Sequence, residues 1–169
     1  IVLAWQATDD LDLTFKYEKG ESDTLGRQDL ITVATPLSIG RYQEADPNFN
    51  ASFGYDKSTK NIDPPNRRGD QFHDSEWDIF TLTAEWAIGD FTLKSITGWV
   101  DYEFENYLDS DYGPLEFIAR GRDESHKQKT QEFLLASPLG ETIEYLAGFF
   151  YQDEKLDHKS VTDVLLGNA

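Results

Sequence analysis

Cysteine and methionine are both absent from the 169 residues. Without cysteine there are no disulfides, no thiolate zinc sites and no thiol nucleophile. Without a methionine at Ile1, a removed leader or a larger preceding part is expected. Basic residues are scarce: 15 Lys and Arg stand against 32 Asp and Glu, a formal net charge of −17. A general nucleic-acid binder needs a basic surface to neutralise phosphates, so nucleic acid is not an expected partner. No apolar run approaches the ~18 residues that read as a transmembrane helix. A membrane β-barrel stays compatible, because its strands need only about 9–11 alternating residues.

What is present is alternation. The length fits about one domain, and aromatics reach 14 %. Leu11, Leu13, Phe15 and Tyr17 alternate with Asp12, Thr14, Lys16 and Glu18, the period-two pattern of a strand with one apolar face. Ile1 to Thr8 precedes it across an Asp9-Asp10 turn. Glu76 to Ala87 and Phe91 to Asn106 flank Ile88-Gly89-Asp90. His126 to Ser137 and Thr142 to Glu154 flank a turn at residues 137–141, where Pro138 and Gly140 punctuate the chain. The expected fold is all-β: an antiparallel up-and-down meander of about six strands in three hairpins. No segment has a helical period with caps.

The connections are asymmetric. The turns within the hairpins are short, whereas 19–75, 107–125 and 155–169 read as long loops, with Ile31 to Leu37 as a possible short strand in the first. Short turns at one end and long loops at the other are the pattern of transmembrane barrels. Trp5, Trp86, Phe91 and Tyr145 lie near the short turns; Tyr17, Phe80, Tyr102, Phe104 and Tyr151 lie toward the long loops. Amphipathic rings at two levels fit two membrane interfaces. A soluble β-sandwich with aromatics in its core fits the same alternation.

Four stretches carry a family resemblance. They are Trp5 to Leu13 (WQATDDLDL), Leu93 to Tyr102 (LKSITGWVDY), Thr130 to Pro138 (TQEFLLASP) and Glu144 to Gln152 (EYLAGFFYQ). In this order and spacing they resemble the β-barrel of TonB-dependent outer-membrane receptors. One departure is Leu134, where the family pattern has a polar, lumen-facing residue such as arginine. The resemblance implies a segment of a larger barrel of about 22 strands, in the outer membrane of a Gram-negative bacterium. It implies an importer, not an enzyme, that binds a scarce small molecule, most often a ferric siderophore or similar metal chelate. Its partners would be outer-membrane lipid and, through parts of the receptor outside these residues, the TonB complex. Six strands cannot close such a barrel, and no plug-like stretch is expected in residues 1–169.

In an importer, recognition belongs to loops and lumen. The candidates are Arg41, Arg67 and Arg68, to pair with carboxylate or hydroxamate-like groups, and Tyr42, Tyr107 and Tyr112, to stack or donate hydrogen bonds. Asp109 and Asp111, near Glu103 and Glu105, offer oxygens of the kind Ca2+ takes, but lack the full loop pattern. His73, His126 and His158 show no ligand spacing and read as ordinary polar side chains. No nucleophile motif and no phosphate or cofactor loop appears, so no cofactor and no catalytic residue is expected. Arg68-Gly69-Asp70 reads as a plain loop turn. Abundant carboxylates alone keep a β-fold glycosidase as the remotest alternative.

Overall fold

The computed structural model describes residues 1–24, 35–45, 47, 71–110, 118–140 and 142–164. The strands are β1 (Val2–Thr8), β2 (Leu11–Thr24), β3 (Phe72–Ile88), β4 (Phe91–Asp109), β5 (Ile118–Ala136) and β6 (Leu146–Val164). Among the described residues one helix, α1 (Pro36–Ala45), lies between β2 and β3. The six strands form one open sheet in chain order, β1 to β6. This is the expected all-β meander.

The short turns fall where the punctuating residues stand. Asp9 and Asp10 join β1 to β2, and Gly89 and Asp90 join β3 to β4. Gly89 has φ 60° and Gly140 has φ 85°, a region that side chains with a Cβ rarely adopt. The β1–β2 register sets Leu3 opposite Phe15 and Trp5 opposite Leu13, so the apolar alternations of both strands share one face.

Three expectations are corrected. First, a helix exists. Thr35 caps it: its Oγ1 accepts a hydrogen bond from the Ser38 N–H at 3.2 Å, and Pro36 takes the first helical position. Gly40 and a weak apolar stripe hide this helix from a periodicity test, and Pro36 and Leu37 are helical rather than part of a strand. Second, the strands run into segments read as loops: β2 to Thr24, β3 from Phe72, β4 to Asp109, and β5 from Ile118. β6 continues to Val164, through residues expected to loop. These extensions are mostly polar, with isolated apolar residues such as Leu108, Ile118 and Ala119, so they lack the sustained apolar alternation by which a strand is recognised. Third, residues 142–145 precede β6 rather than belong to it, with Tyr145 bonded back to Ser137.

By contact the chain divides into two compact units. Unit 1 is Ile1–Glu21, Glu76–Glu103 and Ser125–Asp157; unit 2 is Ser22–Ser75, Phe104–Glu124 and His158–Ala169. Among the described residues the buried hydrophobic side chains are Phe72, Phe104 and Ala119, all of unit 2. Unit 1 instead exposes large apolar side chains, including Leu3, Trp5, Leu82, Trp86, Phe133, Phe149 and Tyr151.

Candidate functional site

The two faces of unit 1 differ in chemistry. On the first, Phe80 packs against Phe15, Tyr17 and Trp99, with ring centroids 6.1, 4.6 and 5.1 Å apart. Alternation extends this face to Leu13, Leu82, Ala84, Trp86, Leu93, Phe133, Leu135, Ala147 and Phe149. The apolar run ends at a ring on four strands: Tyr17, Phe80, Trp99 and Tyr151. The next residue on the same face is charged in each case: Lys19, Asp78, Asp101 and Asp153. Tyr17 donates to Asp78 Oδ1 at 2.5 Å, and Lys127 pairs with Asp101 at 3.1 Å.

Polar groups within the apolar band are satisfied by one another. The Thr97 hydroxyl donates to Gln131 Oε1 at 2.7 Å. Gln131 Nε2 donates to Ser95 Oγ at 3.0 Å and approaches the carbonyls of Ile96 and Glu132. Ser95, Thr97 and Gln131 thus bond to one another across β4 and β5 within the apolar band.

The second face is polar. Glu85 and Lys94 pair across β3 and β4 at 2.7 Å, and Lys16 pairs with Glu18 at 2.7 Å. His126 of β5 meets Glu154 of β6 at 3.0 Å, and Gln152 donates to the second oxygen of Glu154 at 2.9 Å. Leu134 lies on this face: its Cδ2 is 3.0 Å from where a Cβ on Gly148 would stand. Trp77 lies over Gly20 on the same side. Tyr102 and Phe104, expected with the loop-end aromatics of the apolar face, occupy the even positions of β4 together with Lys94 and Gly98. They therefore belong to the polar side, and Trp99 takes their place.

Unit 2 is built from the polar strand extensions and α1. Tyr107 donates to Asp163 Oδ2 at 2.5 Å, and its ring covers Gly121, where a Cβ would stand 3.0 Å from Cδ2. Asp109 is buried, and its N–H donates to Gln71 Oε1 at 3.2 Å. His73 meets Phe104 edge-on at 4.8 Å, and His158 meets Glu124 at 2.9 Å. Lys159 and Asp123 approach within 3.9 Å.

Burial, the hydrogen bond to Asp163 and that carboxylate's negative charge push the Tyr107 hydroxyl up to about 12, from the ordinary 10. A raised folded-state pKa means that the folded chain holds this proton where the unfolded chain has lost it. The stability contributed is complete below pH ~10 and falls as pH rises through ~12. In tyrosinate absorbance, the difference between wild type and Tyr107→Phe should therefore show a transition near pH ~12. A difference centred on pH ~10 would contradict the assignment.

Of the candidate ligand residues, Arg41 is exposed and Tyr42 half-buried, both on α1. Tyr107 is on β4, committed to Asp163. Arg67, Arg68, Tyr112 and Asp111 lie outside the described residues, as does Arg68-Gly69-Asp70. Among the described residues no group of three His, Asp or Glu side chains is placed to hold a metal ion. No helix of the described residues is long and apolar enough to cross a membrane, which leaves crossing by strands open. Sequence reading missed the carboxylate partners of His126 and His158, because each pair is 28 or 34 residues apart and only the strand register joins them. No family model matches the chain, and no curated protein and no solved structure matches it either.

Proposed function

We propose that this chain is a segment of a transmembrane β-barrel of the TonB-dependent receptor kind, a transport protein rather than an enzyme. In this reading the apolar face of unit 1 meets lipid, the polar face meets the lumen, and the polar strand extensions lie outside the membrane. The observation that carries it is the edge of the apolar band. On four strands of one sheet an aromatic ring, half-buried at Tyr17, Phe80 and Trp99 and exposed at Tyr151, closes the apolar run, and a charge follows at the next position on that face. Rings of Tyr and Trp prefer the level where hydrocarbon gives way to water.

Strand length supports the same reading. A barrel strand crosses a membrane in about 9–11 residues, whereas β4, β5 and β6 have 19 each. On β5 and β6 the surplus is polar at most positions, and on β4 it is charged on the face that carries Trp99 and keeps Tyr102, Phe104 and Leu108 on the other. Import of a scarce solute and its coupling to the TonB complex would need the rest of such a receptor.

The deciding experiment is fractionation of cells that make the protein, with an antibody to this segment and gels run with and without boiling. The expected result is an outer-membrane band, much larger than this segment, whose migration changes on heating. A water-soluble band near the 19.3 kDa of the segment, indifferent to heating, would sink the proposal and favour a free-standing β-sandwich.

A further inference from the structure

The polar face of unit 1 carries a feature that import in general does not require. Gly98 faces Thr130, Thr97 reaches Gln131, and Asp101 reaches Lys127, so β4 and β5 keep one register over this stretch. That register sets Tyr102 across from His126. Phe80 with Trp99 and Glu85 with Lys94 fix β3 against β4 in the same way, which sets Trp77 across from Tyr102. Trp77 leans the other way, over Gly20 of β2. One level of the polar face thus runs from Trp77 through Tyr102 to His126, all half-buried, with Gln128 and Glu154 beside it. At about 4.8 Å between strands, from the Gly20 lane to His126, the row spans about 14 Å.

Its chemistry is selective. Two broad aromatic rings offer stacking surfaces. The carboxylates beside the row already have partners: Glu154 accepts from His126 and Gln152, and Glu18 pairs with Lys16. An anionic ligand finds no spare cation here and meets a chain of net charge −17. A cationic ligand would have to displace the His126 and Gln152 donors from Glu154, or Lys16 from Glu18. What remains are unused lone pairs on paired carboxylates and a side-chain amide at Gln128, which both donates and accepts. Groups that donate and accept together, set around an apolar ring face, complement hydroxyl groups.

We infer that this row binds a neutral polyhydroxylated ligand of saccharide type, its ring faces stacked on Trp77 and Tyr102 and its hydroxyls bonded to Gln128, His126 and Glu154. The inference rests on the reading of this face as the lumen side. It narrows the ligand to a class distinct from anionic ferric catecholates.

The test uses the full-length protein extracted in detergent and titrated with malto-, cello-, xylo- and chito-oligosaccharides, with calorimetry and intrinsic fluorescence as readouts. Choline and a ferric tris-catecholate serve as cationic and anionic probes. The expected result is saturable binding of at least one oligosaccharide, with a fluorescence change that Trp77→Phe abolishes. Tyr102→Ala and Gln128→Ala should each weaken it by about tenfold. No oligosaccharide binding at millimolar concentration would overturn the inference, as would binding unaffected by all three substitutions. Saturable binding of choline or the catecholate that Trp77→Phe and Tyr102→Ala weaken would overturn it too. Heat-dependent migration of the same sample separates the two claims. A heat-modifiable protein that ignores sugars loses only the ligand class. A heat-indifferent, water-soluble one that binds them loses only the barrel.

Discussion

Arginine at Leu82 should cripple insertion of the protein, while arginine one residue later, at Thr83, should be tolerated. Leu82 is exposed, 44 % by area, in the middle of the apolar band between Phe80 and Ala84. If lipid covers that face, the guanidinium must be carried into hydrocarbon, at about 2–4 kcal/mol near the midplane of a barrel. Even the lower figure lowers the ratio of folded to unfolded protein by a factor of about thirty. Thr83 points to the polar face, where an arginine finds Glu85 two residues along the same strand. If water covers the Leu82 face, Leu82→Arg is an ordinary surface change, within about 0.5 kcal/mol. The measurement is outer-membrane yield of heat-modifiable protein for the two variants against wild type. Equal yields for Leu82→Arg and wild type would remove the lipid from that face.

How far the fold is legible in the residues depends on the strand. β2 declares itself because Leu11 to Glu18 alternates without a break and Asp9-Asp10 turns the chain before it. The far halves of β5 and β6 do not. Ile118 to Thr130 and Gln152 to Val164 are polar at nearly every position, and a segment with no apolar side to bury has no periodic signal. Their partners alone make them strands, through pairs such as His158 with Glu124 and Tyr107 with Asp163. α1 is hidden for a different reason: its signal is the Thr35-Pro36 cap, a local hydrogen-bonding feature, not a stripe. The site follows the same division. The apolar band can be counted off the sequence strand by strand, apart from the placement of Tyr102 and Phe104. The row of Trp77, Tyr102 and His126 cannot, because no property of those residues states which of them lie at one level. Register does, and it is set by pairs such as Gly98 with Thr130.

Gly20→Ala should destabilise the protein in the wild-type background and stop doing so once Trp77 is gone. A Cβ at Gly20 would stand inside the Trp77 ring, 2.9 Å from Cη2 and closer still to Cζ2 and Cε2. The ring must then leave its place over β2 or the strands must part, and overpacking of this kind costs about 1–3 kcal/mol. Without Trp77 the same change meets no ring. It then gains about 0.5–1 kcal/mol, because alanine loses less backbone freedom in a strand than glycine does. The sign of the effect should therefore reverse between the two backgrounds. A double-mutant cycle of Gly20→Ala with Trp77→Ala, read by denaturant unfolding of the detergent-solubilised protein, isolates the coupling. The same destabilisation in both backgrounds would mean that the ring does not lie over Gly20. Coupling between the two sites, with loss of oligosaccharide binding in Gly20→Ala, would show that a glycine on one strand holds the stacking surface of the next in place.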